Sequence, residues 1–439
     1  MIPVDFDNIL RDIGVEKDDF VSSLSKPSIR GLNVNTLKIK SSEIAELVPV
    51  VSTGYNDDTY IYVGDDKVGT TPLHHAGAYY MQDPSAMLPV LSIPDGDYHR
   101  ILDLCSAPGG KTIQLALRYP DAEIVSNEIV PSRAKILYQN VERLGLTNVC
   151  ILNNSPEELS SVYREYFDLI VVDAPCSGEG MFRKYDTAIE EWSLDKVLGC
   201  AKRQRDILTH ADAMLKRGGV MLYSTCTYNL EENEKQVAYL VNTMHYEPLR
   251  PTEVAISYST RGIDVDGVSG EYSRRRYTHI HSGEGQFFAN LIKTRGGEGE
   301  IVATRPALDK KYMPALVEFA KNTTLPIETM ASYLEGRIYI PAFDLPRGVK
   351  IVSGGVQVGE VKKNRLIPDH YLFSAKGECF DYVEVSEDEA YRYLRGEELY
   401  IDAPKGYGVV KYRGVVLGGY KSSDGVLKNH YPKALRNMR

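Results

Sequence analysis

At 439 residues, 43% hydrophobic and 25% charged, the chain has a globular protein's balance and exceeds one ordinary core, so two to four domains are expected. Its formal charge of −9 excludes a chain that is basic throughout, yet Lys405–Arg439 carries eight Lys/Arg and one Asp, or +7, leaving −16 on the other 404 residues, so polyanion attraction is expected only in patches. No apolar run approaches ~20 residues, the opening MIPVDFDNILRDIG lacks a signal-peptide stretch, and the six cysteines (105, 150, 176, 200, 226, 379) form no C-x-x-C pair, so no membrane span, metal framework or disulfide framework is expected, and a cytoplasmic location is.

In chain order, residues 1–90 read as a small α/β unit. Arg30–Lys38 alternates like a strand, Ser42–Leu47 can open a helix, and the short runs TYIYV and DKVGT lie among turn residues. His74–Met87, HHAGAYYMQDPSAM, suits a packed interdomain helix and a substrate-facing segment equally. Residues 99–293 alternate strand and helix. Strands are expected at 101–104, 122–128, 149–153, 167–173, 220–225 and 287–293. Helices are expected at 111–118, 131–144, 194–215 and 231–242, the third closed by Lys216-Arg-Gly-Gly219. Apolar strands separated by helices mean an α/β, doubly wound, mostly parallel sheet. Thr294–Glu300 reads as a linker. Beyond it a helix is expected at 310–322, strands at 336–340, 350–353 and 356–361, a helix at 386–395 and a hairpin at 407–420.

Three stretches end apolar strands, at the edge where open α/β sheets bind ligands. In DLCSAPGGKT, Asp103–Thr112, the phosphate-loop motif is excluded because Cys105 stands where its first glycine belongs. A loop of small residues there can still approach a nucleotide or adenosyl ligand closely, and Glu128, ending the second strand, can hold ribose hydroxyls. VVDAPCSGEGMFRK, Val171–Lys184, places Asp173 and Cys176 at one strand end. YSTCTYNLEENE, Tyr223–Glu234, places Cys226 at the next. A free cysteine is usually a small buried apolar residue. Polar neighbours and nearby cations suit a thiolate nucleophile as well.

SAPGGKT, DAPCSGEGMFRK and YSTCTYNLEENE together resemble the Nop/Sun family of RNA cytosine-5 methyltransferases. RGLNVNTLK and QDPSAM precede that region, and Gly425–Arg436, GVLKNHYPKALR, follows it. The resemblance implies a Rossmann-like methyltransferase core at 91–295, an RNA-facing α/β subdomain at 1–90, a linking α+β domain at 296–375 and a PUA-like RNA-binding module at 376–439. It implies S-adenosylmethionine as cofactor and RNA cytosine as substrate, with 16S ribosomal RNA of the small subunit favoured. Transfer RNA, and a catalytically silent RNA-binding ribosome-assembly factor, stand as alternatives. The cofactor positions fall on Cys105, Ser106, Ala107, Pro108, Gly109, Gly110, Lys111, Glu128, Arg133 and Asp173, with the adenine side near Asn154 or Ser155. Neither of the last two is the acid many members carry. The nucleophile position is Cys226 and the release position Cys176, with Asp173 and Lys111 as the other catalytic residues. The family's later Arg…His…Gly-Glu-Gly segment falls on Arg275–Gly285, with His279 and Glu284. No metal, no membrane and a monomer are expected.

Overall fold

A computed structural model describes residues 2–65, 67–321, 323–334, 336–423 and 425–436. Its centre is built from β1 (Arg100–Asp103), β2 (Glu123–Asn127), β3 (Val149–Leu152), β4 (Phe167–Asp173), β5 (Leu215–Thr225) and β6 (Gln286–Lys293). They lie side by side as β6-β5-β4-β1-β2-β3, parallel except for the antiparallel β6. Both faces are buried, which is why the strands read as continuous apolar runs rather than alternating ones. Ile101, Ile124, Val149 and Leu169 pack on one face, and Leu102, Val125, Leu152 and Ile170 on the other. Helices α1 (Gly110–Arg118), α2 (Pro131–Leu144) and α3 (Leu194–Met214) cover them. The strand order reverses at β1, between β2 and β4, so the loops after β1 and β4 flank the crevice where such sheets take ligands.

The sheet grows to ten strands at its margins. Ser273–Arg276 and Thr260–Arg261 extend it past β6, Tyr246–Pro248 pairs with β6, and Ile351–Ser353 pairs antiparallel with β3. Residues beyond the 294–300 linker therefore return to the core. Other parts of 296–375 form the helix Met313–Ala320 and a separate four-stranded sheet. Asn322, the last residue of the helix expected there, lies outside the described residues, as does Asp66 of the DKVGT run.

The N-terminal four-stranded antiparallel sheet includes Gly31–Val34 and Tyr79–Gln82. The C-terminal four-stranded sheet, which carries one parallel pair, is built on Gly406–Tyr412 and Val415–Ser423, the expected hairpin. The two sheets share one apolar core, in which Leu32, Val34 and Tyr79 meet Leu394, Val410 and Tyr420. The N-terminal and C-terminal sheets are thus packed on each other, while the first helices, with Phe6 and Phe20, pack against Phe182, Trp192 and Tyr228.

Two boundaries differ from the sequence reading. α3 stops at Met214, and Lys216-Arg-Gly-Gly219 belongs to β5, not to a helix cap. The Lys216 ammonium pairs with Asp168 at 2.6 Å and the Arg217 N–H donates to the Gly297 carbonyl at 2.8 Å, partners that hold the segment extended. The helix expected from Glu231 begins at Glu234, because the residues before it are drawn beneath the cysteine loops.

Candidate active site

The loop after β1 is pinned from below. The Ser106 N–H and hydroxyl both donate to the Asn127 carbonyl, at 3.0 and 2.8 Å. Arg133 donates to the Ala107 carbonyl at 2.7 Å and Asn140 to that of Pro108 at 2.9 Å. Gly109 precedes α1 with φ of +114°, a conformation that only glycine adopts freely, so the chain can turn from loop to helix. A cleft opens above, walled on one side by Asp103, Cys105–Pro108, Gly110, Lys111 and Asp173. The opposite wall is Tyr80–Asp83 and Ala86, so part of the HHAGAYYMQDPSAM stretch faces the cleft. Asp83 caps the helix Pro84–Leu91 through the Ser85 N–H at 2.9 Å.

Charge in the cleft is arranged around a buried lysine. Lys111, 7% exposed, pairs with Asp173 at 2.7 Å, and Ser224 donates to the other Asp173 oxygen at 2.7 Å. Asp103 was not singled out from the sequence. One of its oxygens accepts from Thr112 at 2.7 Å, while the other is buried without a partner in the cleft wall. Burial pushes this carboxyl up to about 7. Glu128 is buried, accepts the Val130 N–H at 2.9 Å and meets Arg133 at 3.3 Å.

Neither Asn154 nor Ser155, where the resemblance puts the adenine side, lines the cleft. The Asn154 side-chain amide oxygen accepts the Lys350 N–H at 3.0 Å, and Ser155 caps the helix Pro156–Val162 in a reciprocal box with Glu158. Ser-Pro-Glu-Glu is itself a helix-start pattern, serine followed three residues later by glutamate, and that local demand takes the side chain.

The loops after β4 and β5 bring two thiols together: Cys176 Sγ and Cys226 Sγ are 3.3 Å apart. The Cys176 thiol is held well above its ordinary value, first by its hydrogen bond to Cys226, then by burial and by the Cys226 and Glu232 charges. Close backbone approach makes this contact. The Gly180 N–H donates to the Cys226 carbonyl at 2.9 Å, and the Gly285 N–H to that of Gly180 at 3.3 Å. A Cβ on Gly180 would lie 2.8 Å from the Cys226 carbonyl oxygen and 2.7 Å from that of Gly285. Around this contact Arg183 and Glu284, both buried, pair at 3.0 Å, and Lys184 reaches Asp83 at 3.3 Å. Arg275 is buried against Glu234 and donates to the Tyr228 carbonyl at 2.7 Å. His279 packs on the Tyr277 ring at 5.5 Å.

Two buried acids, Glu179 and Glu232, also escaped the sequence reading. Each lies in one cysteine loop and holds the other. Glu179 follows Cys176 and accepts the Tyr228 and Asn229 N–H groups at 2.7 and 2.9 Å. Glu232 follows Cys226 and accepts the Ser177 N–H at 3.0 Å. Their only sequence signal is an acid inside a Gly- or Asn-rich turn, which ordinarily marks a solvated residue.

Residues 90–292 match the family described as 16S rRNA methyltransferase RsmB/F, 2–84 the N-terminal domain of 16S rRNA methyltransferase RsmF, and 381–437 the methyltransferase RsmF PUA domain. The chain belongs to the RsmB/F family of RNA methyltransferases. Ribosomal RNA small subunit methyltransferase F of Vibrio vulnificus (strain YJ016) is 30% identical over 95% of this chain and 93% of its own length. The protein of that name from Shewanella sp. (strain MR-4) is 31% identical over the same shares. Among solved structures, PH0851 is 27% identical with a TM-score of 0.57 over 65% of each chain. NSun6 from Pyrococcus horikoshii with SFG superposes with a TM-score of 0.58 over 67% of this chain and 99% of that one, and at 21% identity it shows the shared fold. RsmB/F membership makes the chain a methyl-transferring enzyme, and the match over residues 381–437 gives it a C-terminal PUA domain. No helix among the described residues is long and apolar enough to cross a membrane.

Proposed function

We propose that the chain transfers a methyl group from S-adenosylmethionine to carbon 5 of a cytosine in small-subunit ribosomal RNA, with Cys226 as nucleophile and Cys176 as the thiol of release. The observation that carries this reading is the 3.3 Å approach of two thiols from adjacent strand ends, beside a cleft lined by Lys111 and Asp173. The cleft suits a cationic, adenosyl-bearing cofactor: a loop of small residues forms one wall, and Asp103 offers it an unpartnered carboxylate oxygen. Cys105–Lys111, Asp103 and Asp173 would hold that cofactor, with Glu128 and Arg133 behind them. When bound, it supplies an electrophilic methyl group.

Carbon 5 of cytosine is a weak nucleophile. Addition of the Cys226 thiolate to carbon 6 places an electron pair on carbon 5 and makes it a strong one. Asp173 is the acid to receive a hydrogen bond from the base, or to donate one at ring N3 when protonated, and Lys111 holds it in place. After methylation a base removes the carbon-5 proton. That C–H electron pair re-forms the ring double bond, the C6–S bond breaks, and Cys226 leaves as thiolate. Cys176 is the group proposed to take the proton, directly or through water. It must first give up its own proton, to solvent water. Bonding Cys226 to carbon neutralises that sulfur, removing two of the causes that hold Cys176 protonated, the hydrogen bond and the Cys226 charge. The covalent bond itself thereby readies the second thiol.

The test is transfer of labelled methyl from S-adenosylmethionine to purified 16S ribosomal RNA, to small subunits and to transfer RNA, with bisulfite sequencing of RNA from cells with and without the gene. Ribosomal 5-methylcytosine that disappears with the gene supports the reading. Label confined to transfer RNA, or none in any RNA, overturns it.

A further inference from the structure

Cys176 is bracketed by anchored neighbours, and both anchors lead to one carboxylate. On one side the Gln204 amide donates to the Pro175 carbonyl at 3.1 Å and to Glu232 Oε2 at 2.7 Å. On the other, Ser177 gives Glu232 its backbone N–H at 3.0 Å and also its hydroxyl. Asn229 Nδ2 supplies a further donor at 2.8 Å, and Tyr223 donates to the Glu232 carbonyl at 2.6 Å. Glu232, Gln204 and Tyr223 are all fully buried. Finally, the Ser177 and Thr227 hydroxyls are 2.9 Å apart, tying the residue after Cys176 to the residue after Cys226.

An isolated buried carboxylate is costly without partners. Here every partner is a donor, and the donors come from the residues that set the Cys176 backbone. We infer that Glu232 is a positioning residue: by holding Pro175 (through Gln204) and Ser177, it fixes Cys176 against Cys226 and so makes Cys176 the thiol of release. The inference rests on the proposed two-thiol mechanism. Charge acts the same way, since Glu232 is among the groups that raise the Cys176 thiol above its ordinary value, after the Cys226 hydrogen bond, burial and the Cys226 charge. Glu232 itself is pushed by burial up to about 7, against the pull of Ser177 and Asn229.

Glu232→Gln presents an amide N–H₂ to a set of donors, so the bracket must open on one side. Cys226 keeps its own anchors, the Gly180 N–H and the Glu179 contacts with Tyr228 and Asn229. The expected phenotype is therefore selective. Full-length Glu232→Gln should bind S-adenosylmethionine within about twofold of wild type, lose at least tenfold in turnover, and accumulate an RNA–protein species that survives denaturing gels and vanishes with nuclease. A merely structural role predicts lower melting temperature and no such species. Cys176→Ala is run alongside. If it accumulates the species and Glu232→Gln turns over normally, or loses activity without accumulating it, the positioning role is wrong. If Cys176→Ala itself accumulates nothing, the two-thiol mechanism fails, and the positioning role with it. Should Glu232→Gln fail to fold, Gln204→Ala carries the same readout, since it cuts the Pro175 side of the bracket alone: accumulation supports the role, and normal turnover overturns it.

Discussion

Gly180→Ala should disable the enzyme through one carbon atom. The new Cβ would lie 2.8 Å from the Cys226 carbonyl oxygen, 2.8 Å from Gly285 Cα and 2.7 Å from the Gly285 carbonyl oxygen, all backbone, so no side chain can swing away. Reaching the 3.4 Å of ordinary contact requires about 0.6 Å of movement. The strand end carrying Cys226 must supply part of it, through the Gly180 N–H bond to its carbonyl. Overpacking of this kind costs about 1–3 kcal/mol of stability. A misplacement of around 1 Å at reacting atoms costs roughly a hundredfold in rate, so a loss of about ten- to a hundredfold in turnover is expected. Methyl transfer to RNA under saturating cofactor is the assay, with thermal melting and cofactor calorimetry in parallel. Gly199→Ala is the control: it sits exposed in the second turn of α3 with nothing within 4 Å, and should raise stability by about 0.5–1 kcal/mol with turnover unchanged. Wild-type turnover in Gly180→Ala would refute the claim that this glycine sets the spacing of the thiols.

Asp103→Asn should weaken S-adenosylmethionine binding about ten- to a hundredfold, the worth of a hydrogen bond to a charged group. Because Asp103 is raised to about 7, wild-type affinity should fall as pH drops from 8 to 6 while the Asn variant stays flat; calorimetry showing equal affinities and slopes contradicts this. Glu142 on α2 is raised by burial to about 9 and shares a hydrogen bond with Asp369, the cap of the helix His370–Ala375. Its folded value lies above its unfolded one, so its contribution is full below the ordinary glutamate range and is lost as pH rises through about 9. The melting temperature of wild type minus that of Glu142→Gln should therefore fall between pH 7 and 10; a rise counts against the shared proton. Lys428 and Lys433, exposed in the positively charged tail, should together lower the salt dependence of RNA binding by about 0.7–0.9 per lysine in log–log slope when replaced by alanine, and an unchanged slope excludes them from phosphate contact.

The parallel core and the two cysteine loops were legible because each rests on a local signal. A buried strand such as FDLIVV needs a continuous apolar run, and a thiol beside Asp-Ala-Pro or Ser-Thr marks the strand end. Glu232 and Glu179 were not legible, since a turn acid is solvated unless distant segments bring donors to it, and those donors are as far off in sequence as Ser177 from Glu232. The same holds for Ile351–Ser353, whose place beside β3 depends on pairing across about 200 residues. Asn154 and Ser155 are a different case. Their capping pattern, Ser155 followed three residues later by Glu158, is local and readable in the sequence. The shared core of the first and last sheets likewise has no local signature, because Leu32 and Tyr420 sit in strands about 390 residues apart whose meeting no local pattern encodes.

The account stands on the division of labour between the two thiols, and one gel tests it. Cys226→Ala and Cys176→Ala are each incubated with cofactor and substrate RNA, then denatured and run with and without nuclease. Cys176→Ala should trap a nuclease-sensitive covalent species and Cys226→Ala should form none, with product absent from both. A covalent species in Cys226→Ala and not in Cys176→Ala would contradict the account and make Cys176 the nucleophile.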